Sequence, residues 1–478
     1  MSERIAIVGA GLAGCLLAAL LARRGLEVTV YERRPDPRVA GLRAAGEMGG
    51  RSINLAISAR GLEALDQVGL REEALRRALP MHGRMVHAAT GAPSFRPYSA
   101  DGSQAINSIG RAELNSQLLS FAERLDGVSI RFGCRLSHLD LDAGALFFET
   151  VGTWAGDTGT GDPGTGDARA EEAKADIVLA ADGAYSAARR AVTFRPGFSF
   201  SQDYLEHGYK ELTIPPTAAG DFALDPDALH IWPRGSSMMI ALPNLDRSFT
   251  CTLFWTGEEF AALDSPSSIR AHFESVYPDV ADLMPSLVAD YQENPVGSLA
   301  TIRCWPWVHG GSEANGGGGA GAMLALVGDA AHAIVPFFGQ GANCALEDCL
   351  EIDRCLSAAG GSWPAALSLY QSRRKSNCDA IAEMALDNFV EMRDRVNSPV
   401  FRLATEGRHF LERRLPGRYV SRYELVSFST MPYAEIPGRM RRQDRVTAAA
   451  VAGGAALLGF AARGVMRHGG GRDPGGRK

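Results

Sequence analysis

Two sets of residues in this sequence have the types and spacing to hold a dinucleotide at both of its ends. Gly9, Gly11 and Gly14 form a Gly-x-Gly-x-x-Gly turn directly after the apolar run Ile5–Val8, and Glu32 closes the next apolar run, Val28–Tyr31. Gly9 permits a tight turn, Gly11 lets backbone approach a pyrophosphate, and Gly14 lets the following helix sit close to the strand. That helix would offer unpaired N–H groups and a positive dipole end to phosphates. Glu32 is suited to accept a hydrogen bond from a ribose 2′-hydroxyl. A carboxylate there repels a 2′-phosphate, so FAD or NAD is expected in preference to NADP. The second set lies far downstream: Gly328, Asp329, His332 and Pro336, then Gly339-Gln340-Gly341-Ala342-Asn343. Asp329 at a strand end suits a polyhydroxyl such as a ribityl chain. A helix starting after Gly339 would aim its amino end at a ring carbonyl and favour negative charge there, which tips the reading from NAD to FAD. Read only as structure, the first set is a glycine turn, Asp329 a helix N-cap and His332 a buried histidine.

These residues need an α/β frame, and the sequence provides one. Strand, glycine turn, helix (through about Arg24, with Gly25 past its end) and second strand follow within about thirty residues, as the motif requires. Two more apolar runs, Ile177–Ala181 and Met323–Val327, each stop at Asp-Gly or Gly-Asp. Continuous apolar strands suit a sheet buried on both faces with functional residues at its carboxyl ends. Residues 196–300 alternate aromatic and β-branched types and read as an antiparallel sheet. From about Ala365 to Leu415 the pattern is helical. Residues 152–168 and 309–322 are glycine-rich and read as surface insertions without chemistry.

Bulk properties narrow the classes. The 478 residues, 46% hydrophobic and 22% charged, describe an ordinary globular protein of two or three domains. A net charge of −6 gives no reason to expect nucleic acid. Eight scattered cysteines without a CxxC pair signal neither a disulfide framework nor a metal site, and Cys344, Cys349 and Cys355 read as core residues of a helix. No signal peptide precedes the first strand, so a cytoplasmic protein is expected. The uncharged Ala/Gly-rich run 446–462 is flanked by arginines. As a helix it spans roughly 25 Å, short of a ~30 Å hydrocarbon core. Peripheral or C-terminally anchored membrane association and a helix packed on its own protein both remain open.

Three fingerprints then stand in order: Gly9–Gly14 with Glu32, Asp182-Gly183-x-x-Ser186-x-x-Arg189, and Gly328-Asp329 with Pro336 and Gly339–Gly341. In these the chain resembles the single-component flavoprotein aromatic hydroxylases. The resemblance implies a Rossmann-like FAD-binding domain, an antiparallel-sheet substrate domain like that of p-hydroxybenzoate hydroxylase, and a helical C-terminal region. It implies domain limits of 1–72, 103–195 and 300–375 for FAD, 73–102 and 196–299 for substrate, 376–440 for the helical region and 441–478 for a basic and apolar tail. It also implies bound FAD, with NADPH as a transient co-substrate that has no fold of its own. Further segments resemble the kynurenine-hydroxylating branch: Gly50–Ser58, Gly83-Arg84-Met85, Ile109–Asn115, His207–Leu212 and Glu347-Asp348-Cys349.

That branch implies L-kynurenine as substrate, with O2, NADPH and FAD. The expected product is 3-hydroxykynurenine. By resemblance Arg84 and Tyr98 hold the substrate carboxylate, and Asn388 and Tyr423 complete the pocket. Read without it, Arg84 is a surface arginine and Tyr98 a packing residue. Arg111, Leu136 and Asp182 are implied to touch FAD, as are Ala13, Glu32, Arg33, Arg34, Ala56, Asp329, Ala342 and Asn343. Ala342 departs from the methionine often found there. No side-chain acid or base is assigned, because an ortho-amino ring is already electron-rich. The alternatives are a related hydroxylase for another aromatic acid, and a non-catalytic flavin-fold protein tethered to a membrane. Trp305-Pro306-Trp307 superficially matches a halogenase Trp-x-Trp without the lysine context. Monomer and homodimer stay open.

Overall fold

The four apolar runs become the middle of one parallel sheet. In the computed structural model, which describes residues 3–39, 54–99, 101–150, 170–310, 321–390 and 419–448, Ile5–Val8 pairs on one side with Val28–Glu32 and on the other with Ile177–Ala180. Met323–Leu326 and Val128–Phe132 extend the sheet outward, and Val308–His309 closes one edge as its antiparallel strand. Every residue of Ile5–Val8, Ile177–Ala180 and Met323–Leu326 is buried, as a strand covered on both faces must be.

The helix Leu12–Ala22 has almost no polar face and is buried nearly all round, between the sheet and the helices Arg111–Glu123 and Gly341–Ala358. It ends two residues earlier than its sequence suggests, capped at Arg23. Gly25 (φ +78°) donates its N–H to the Ala22 carbonyl at 2.8 Å.

A seven-stranded sheet stands beside this frame, in the order Gly297–Trp305, Ser199–Ile214, Phe249–Thr256, Ser237–Pro243, Ala228–Arg234, Gly83–Val86, Ser94–Pro97. Its pairs are antiparallel except Gly83–Val86 with Ala228–Arg234. The alternation read over 196–300 is therefore realised as a sheet, and a short early segment of chain inserts at its edge. That insertion brings Arg84 and Tyr98 to it: Tyr98 follows the last strand and donates its N–H to the His82 carbonyl at 3.0 Å. The long helix Trp363–Val390 packs on Gly341–Ala358.

Several expectations fall outside the described residues: the insertion 152–168, most of 309–322, Gly50–Ile53, the helical pattern beyond residue 390, and most of the run 446–462. Among the described residues no helix is long and apolar enough to cross a membrane.

Candidate active site

The carboxyl ends of the parallel strands and one face of the seven-stranded sheet enclose a single cavity of about 930 Å³. Its first part is made by the glycine turn. Gly9 has φ +99°, and a Cβ there would lie 2.6 Å from the Ala181 carbonyl oxygen; a Cβ on Gly14 would lie 1.9 Å from the Gly9 oxygen. A Cβ on Gly11 would meet nothing within 4 Å, because that glycine faces the cavity. Glu32, 5% exposed, accepts the Ala10 N–H at 2.8 Å and is gripped by the Arg34 N–H and guanidinium at 3.0 and 2.8 Å. Burial works against its charge, but Arg34 and the backbone donors hold it below the usual carboxylate range, so it is ionised. Arg33 and Arg34 line the same part of the cavity.

The middle of the cavity is lined by Ala56, Arg111, Leu136, Asp182, Asp329 and Ala342. Asp182 uses one oxygen to accept the N–H groups of Ala187 and Ala188 at 2.7 and 3.1 Å; its other oxygen is buried without a partner. Burial pushes this carboxyl up despite Ser186 and those N–H groups. Asp329 is half-buried, and its side chain does not cap the turn it begins, a task left to Gly328 at φ +60°. The Gly341–Ala358 helix presents Gly341 and Ala342 to the cavity, so eighteen residues of aligned peptide dipoles point their positive end into it.

The far part is an apolar box with one polar corner. Met238, Ile240, Leu242, Phe254, Phe337 and Phe338 form walls. In the corner the Arg84 guanidinium lies 4.0 Å from the Tyr423 ring centroid, and Tyr98 stacks on Tyr423 at 5.0 Å. The Arg84 Nε and the Tyr98 hydroxyl are buried and have no hydrogen-bond partner among the described residues. Burial pushes the Tyr98 phenol well above its ordinary range, so it stays a proton donor. A part-buried guanidinium with a buried, unpaired Nε and a buried, unpaired phenol ask for an anionic oxygen.

Fourteen of the eighteen residues singled out from the sequence line this cavity: Gly9, Gly11, Glu32, Arg33, Arg34, Ala56, Arg84, Tyr98, Arg111, Leu136, Asp182, Asp329, Ala342 and Tyr423. Ala13, Gly14, Asn343 and Asn388 do not. Gly14 packs against the Gly9 carbonyl behind the turn, and the Ala13 carbonyl accepts from Cys349 Sγ at 3.2 Å. Asn343 clamps the end of the Asn54–Ile57 strand to the Gly339 turn: its amide donates to the Ala56 and Gly339 carbonyls at 2.8 Å each and accepts the Ser58 N–H at 2.9 Å. Asn388 donates to the Phe337 carbonyl at 2.8 Å and so fixes a wall instead of forming one. The apolar wall was not singled out from sequence. Its strands alternate visibly, but alternation does not say which face bounds a cavity. Trp307 of the Trp-x-Trp segment is buried, donates to the Cys304 carbonyl at 2.8 Å and lies away from the cavity.

The residues fit a long flavin dinucleotide: open space at Gly11 for a pyrophosphate, an ionised acid at Glu32, an orphaned oxygen at Asp182, and a helix amino end beyond. Comparison with known proteins agrees. Residues 3–239 and 316–385 match the FAD binding domain family. The chain is 46% identical to kynurenine 3-monooxygenase of Myxococcus xanthus, covering 90% of this chain and 87% of that protein. It is 41% identical to the Salinispora tropica enzyme of the same name (98% and 97%) and 40% identical to that of Dictyostelium discoideum (91% and 90%). Among solved structures, 2-methyl-3-hydroxypyridine-5-carboxylic acid oxygenase aligns with a TM-score of 0.63 at 19% identity, over 84% of this chain and 95% of that one. PqsL from Pseudomonas aeruginosa in complex with 2-aminobenzoylacetate aligns at 0.62 and 19% (83% and 98%). At such identity these two establish the fold alone.

Proposed function

This chain belongs to the kynurenine 3-monooxygenase family of FAD-binding hydroxylases, and on that premise we propose that it converts L-kynurenine, NADPH and O2 to 3-hydroxy-L-kynurenine by means of the cavity described above. FAD, when bound, supplies the two-electron chemistry that links NADPH oxidation to delivery of one oxygen atom to an aromatic ring. The rest falls to the chain's own residues.

Gly9, Gly11 and the amino end of Leu12–Ala22 hold the pyrophosphate, and Glu32 holds the adenosine ribose. Asp182 and Asp329 take the flavin-side hydroxyls. The amino end of Gly341–Ala358 would support negative charge on a flavin ring held in the cavity. Arg84 and Tyr98 bind the substrate carboxylate, the planar guanidinium matching its geometry and the phenol adding a third donor. The Tyr423 ring keeps both in place by stacking. The apolar walls, Phe337 and Phe338 among them, carry the aromatic ketone and keep water away. Asn343 and Asn388 hold wall backbone in register. No residue need remove a proton to activate a ring that bears an ortho-amine.

The domain limits implied by the resemblance and membrane association through 446–462 belong to this proposal as well. The observation that carries the substrate reading is the unsatisfied Arg84–Tyr98 pair at the apolar end of a dinucleotide-shaped cavity. NADPH oxidation by the purified holoenzyme should be stimulated by L-kynurenine and not by hydroxybenzoates. Stimulation by a hydroxybenzoate alone would assign the site to another aromatic acid.

A further inference from the structure

Behind the cavity lies a second cluster that the hydroxylase chemistry does not use. His332, Cys344, Asp348 and Cys378 are all buried, and their donor atoms lie within 4.8 Å of one another. None lines the cavity. His332 Nε2 is 2.5 Å from Asp348, whose other oxygen accepts from Arg374 Nε at 2.6 Å. Arg374 also donates to Cys344 Sγ at 3.1 Å and to Glu347 at 2.5 Å, and Arg60 donates to the other Glu347 oxygen at 2.6 Å. The Sγ atoms of Cys344 and Cys378 are 3.6 Å apart.

Charge balance singles out Cys344. Arg60, Arg374 and a protonated His332 are cationic, whereas only Glu347 and Asp348 are carboxylates. Uncompensated buried charge is costly, and a thiolate at Cys344, which accepts from Arg374 at 3.1 Å, offsets the excess of cations. The hydrogen bond from Cys378, with Arg374 and His332, holds the Cys344 thiol down to about 6, while burial keeps Cys378 well above its ordinary value. The Arg374 guanidinium, which donates to Cys344 Sγ and not to Cys378, thus favours Cys344 as the thiolate of the pair and Cys378 as its protonated partner. A metal ion is the other conceivable occupant of such a set. It is disfavoured because the Arg374 guanidinium already bonds both Asp348 and Cys344 where a cation would sit.

We propose that Cys344 and Cys378 form a peroxide-sensitive dithiol that closes to a disulfide between the Gly341–Ala358 and Trp363–Val390 helices. The Cys344 thiolate attacks hydrogen peroxide, the O–O bond breaks and hydroxide leaves, so that the sulfur is oxidised by two electrons to sulfenic acid. The Cys378 sulfur then attacks the Cys344 sulfur. An S–S bond forms and water departs with the sulfenic oxygen and the Cys378 proton. The sulfurs need to close from 3.6 Å to about 2.0 Å. The oxidant is hydrogen peroxide, the product whenever O2 takes two electrons from NADPH without oxygen reaching a substrate. The link would join two helices that bear on the active site, one lining the cavity through Gly341 and Ala342 and the other holding its Phe337 wall through Asn388.

The test treats FAD-loaded protein with graded hydrogen peroxide, removes the excess with catalase, alkylates in denaturant and maps cysteines by mass spectrometry. The expected result is a Cys344–Cys378 linked peptide, with alkylatable thiols falling from the eight of the native chain by two and returning with dithiothreitol. In Cys378→Ser the same treatment should leave Cys344 as a sulfenic acid captured by dimedone. Oxidation of other cysteines while Cys344 stays alkylatable would overturn the proposal. So would conversion of Cys344 to sulfinic acid without the link, or one stoichiometric divalent metal on protein purified without chelator.

Discussion

Arg84 lies against the Tyr423 ring with its Nε unpaired, and Tyr98 offers an unpaired hydroxyl beside it. Removing one side of a buried ionic contact costs about 2–5 kcal/mol. Arg84→Ala should therefore lower kcat/KM for L-kynurenine at least about thirtyfold, chiefly through KM, while FAD content stays unchanged; a normal KM would sink the carboxylate assignment. Tyr98→Phe should cost less, about 1.5 kcal/mol for one hydrogen bond to a charged group. Asp182 adds a pH signature. Burial raises its carboxyl in the ligand-free protein, and a hydroxyl donated to its orphaned oxygen favours the ionised form. With Asp182 receiving a flavin-side hydroxyl, as proposed, FAD would bind the ionised form more tightly, so affinity should rise as pH rises through the raised pKa and level off above it. Fluorescence titration of apoprotein from mildly acidic to neutral pH checks this, and affinity that falls with pH would contradict it. Glu32 and Asp329 were legible because motif and strand end fix their chemistry. Arg84 was not legible from its own surroundings in the sequence, where it reads as a surface arginine. Only resemblance singled it out, because its role depends on a strand pairing with a sheet built from chain far downstream.

At the scale of elements, the strand–turn–helix unit tolerates no added atom at Gly14, where a Cβ would fall 1.9 Å from the Gly9 carbonyl oxygen. Gly14→Ala should yield protein that purifies without the yellow colour of bound FAD, whereas Gly11→Ala, which meets nothing within 4 Å, should fold and bind FAD more weakly. Equal FAD content in the two variants would refute this reading of the turn. The ionic layer between Gly341–Ala358 and Trp363–Val390 is a stability element. Asp348 holds His332, Arg374 and the Gly328 N–H at once, so Asp348→Asn should cost roughly 3–5 kcal/mol. Burial opposes the charge of Asp348, but His332 and Arg374 hold its carboxyl down to about 2. Its contribution is therefore complete above the unfolded value of about 4 and is lost as pH falls towards 2. Thermal unfolding over that range should show the loss in the native chain and not in the variant. The strands were legible because both faces are apolar. This layer was not, since His332, the Cys344–Asp348 pair and Arg374 come from three separate helical segments, and His332 and Cys344 each alone read only as core residues.

For the whole molecule, the chain passes back and forth between two large sheets, and the cavity lies between them, with two three-stranded sheets adding to its lining. The parallel sheet brings Gly9, Glu32, Asp182 and Asp329 to its carboxyl edge; the seven-stranded sheet brings Arg84 and Tyr98 opposite them. The fold class was readable from the apolar runs and the alternation, whereas the size and apolar lining of the cavity follow from how the sheets face each other, which no local pattern encodes. Membrane association has a separate check. The full chain should sediment with membranes at low salt and a chain truncated after Arg442 should not; equal behaviour of the two would discard the tail as an anchor. The central claim is that this cavity aims oxygen transfer at the ring of L-kynurenine. The most direct test is product analysis after incubating the purified, FAD-loaded protein with L-kynurenine, NADPH and 18O2. One labelled oxygen in 3-hydroxykynurenine, formed in step with NADPH consumed, is the predicted result. NADPH consumed with unmodified kynurenine and only peroxide formed would contradict it.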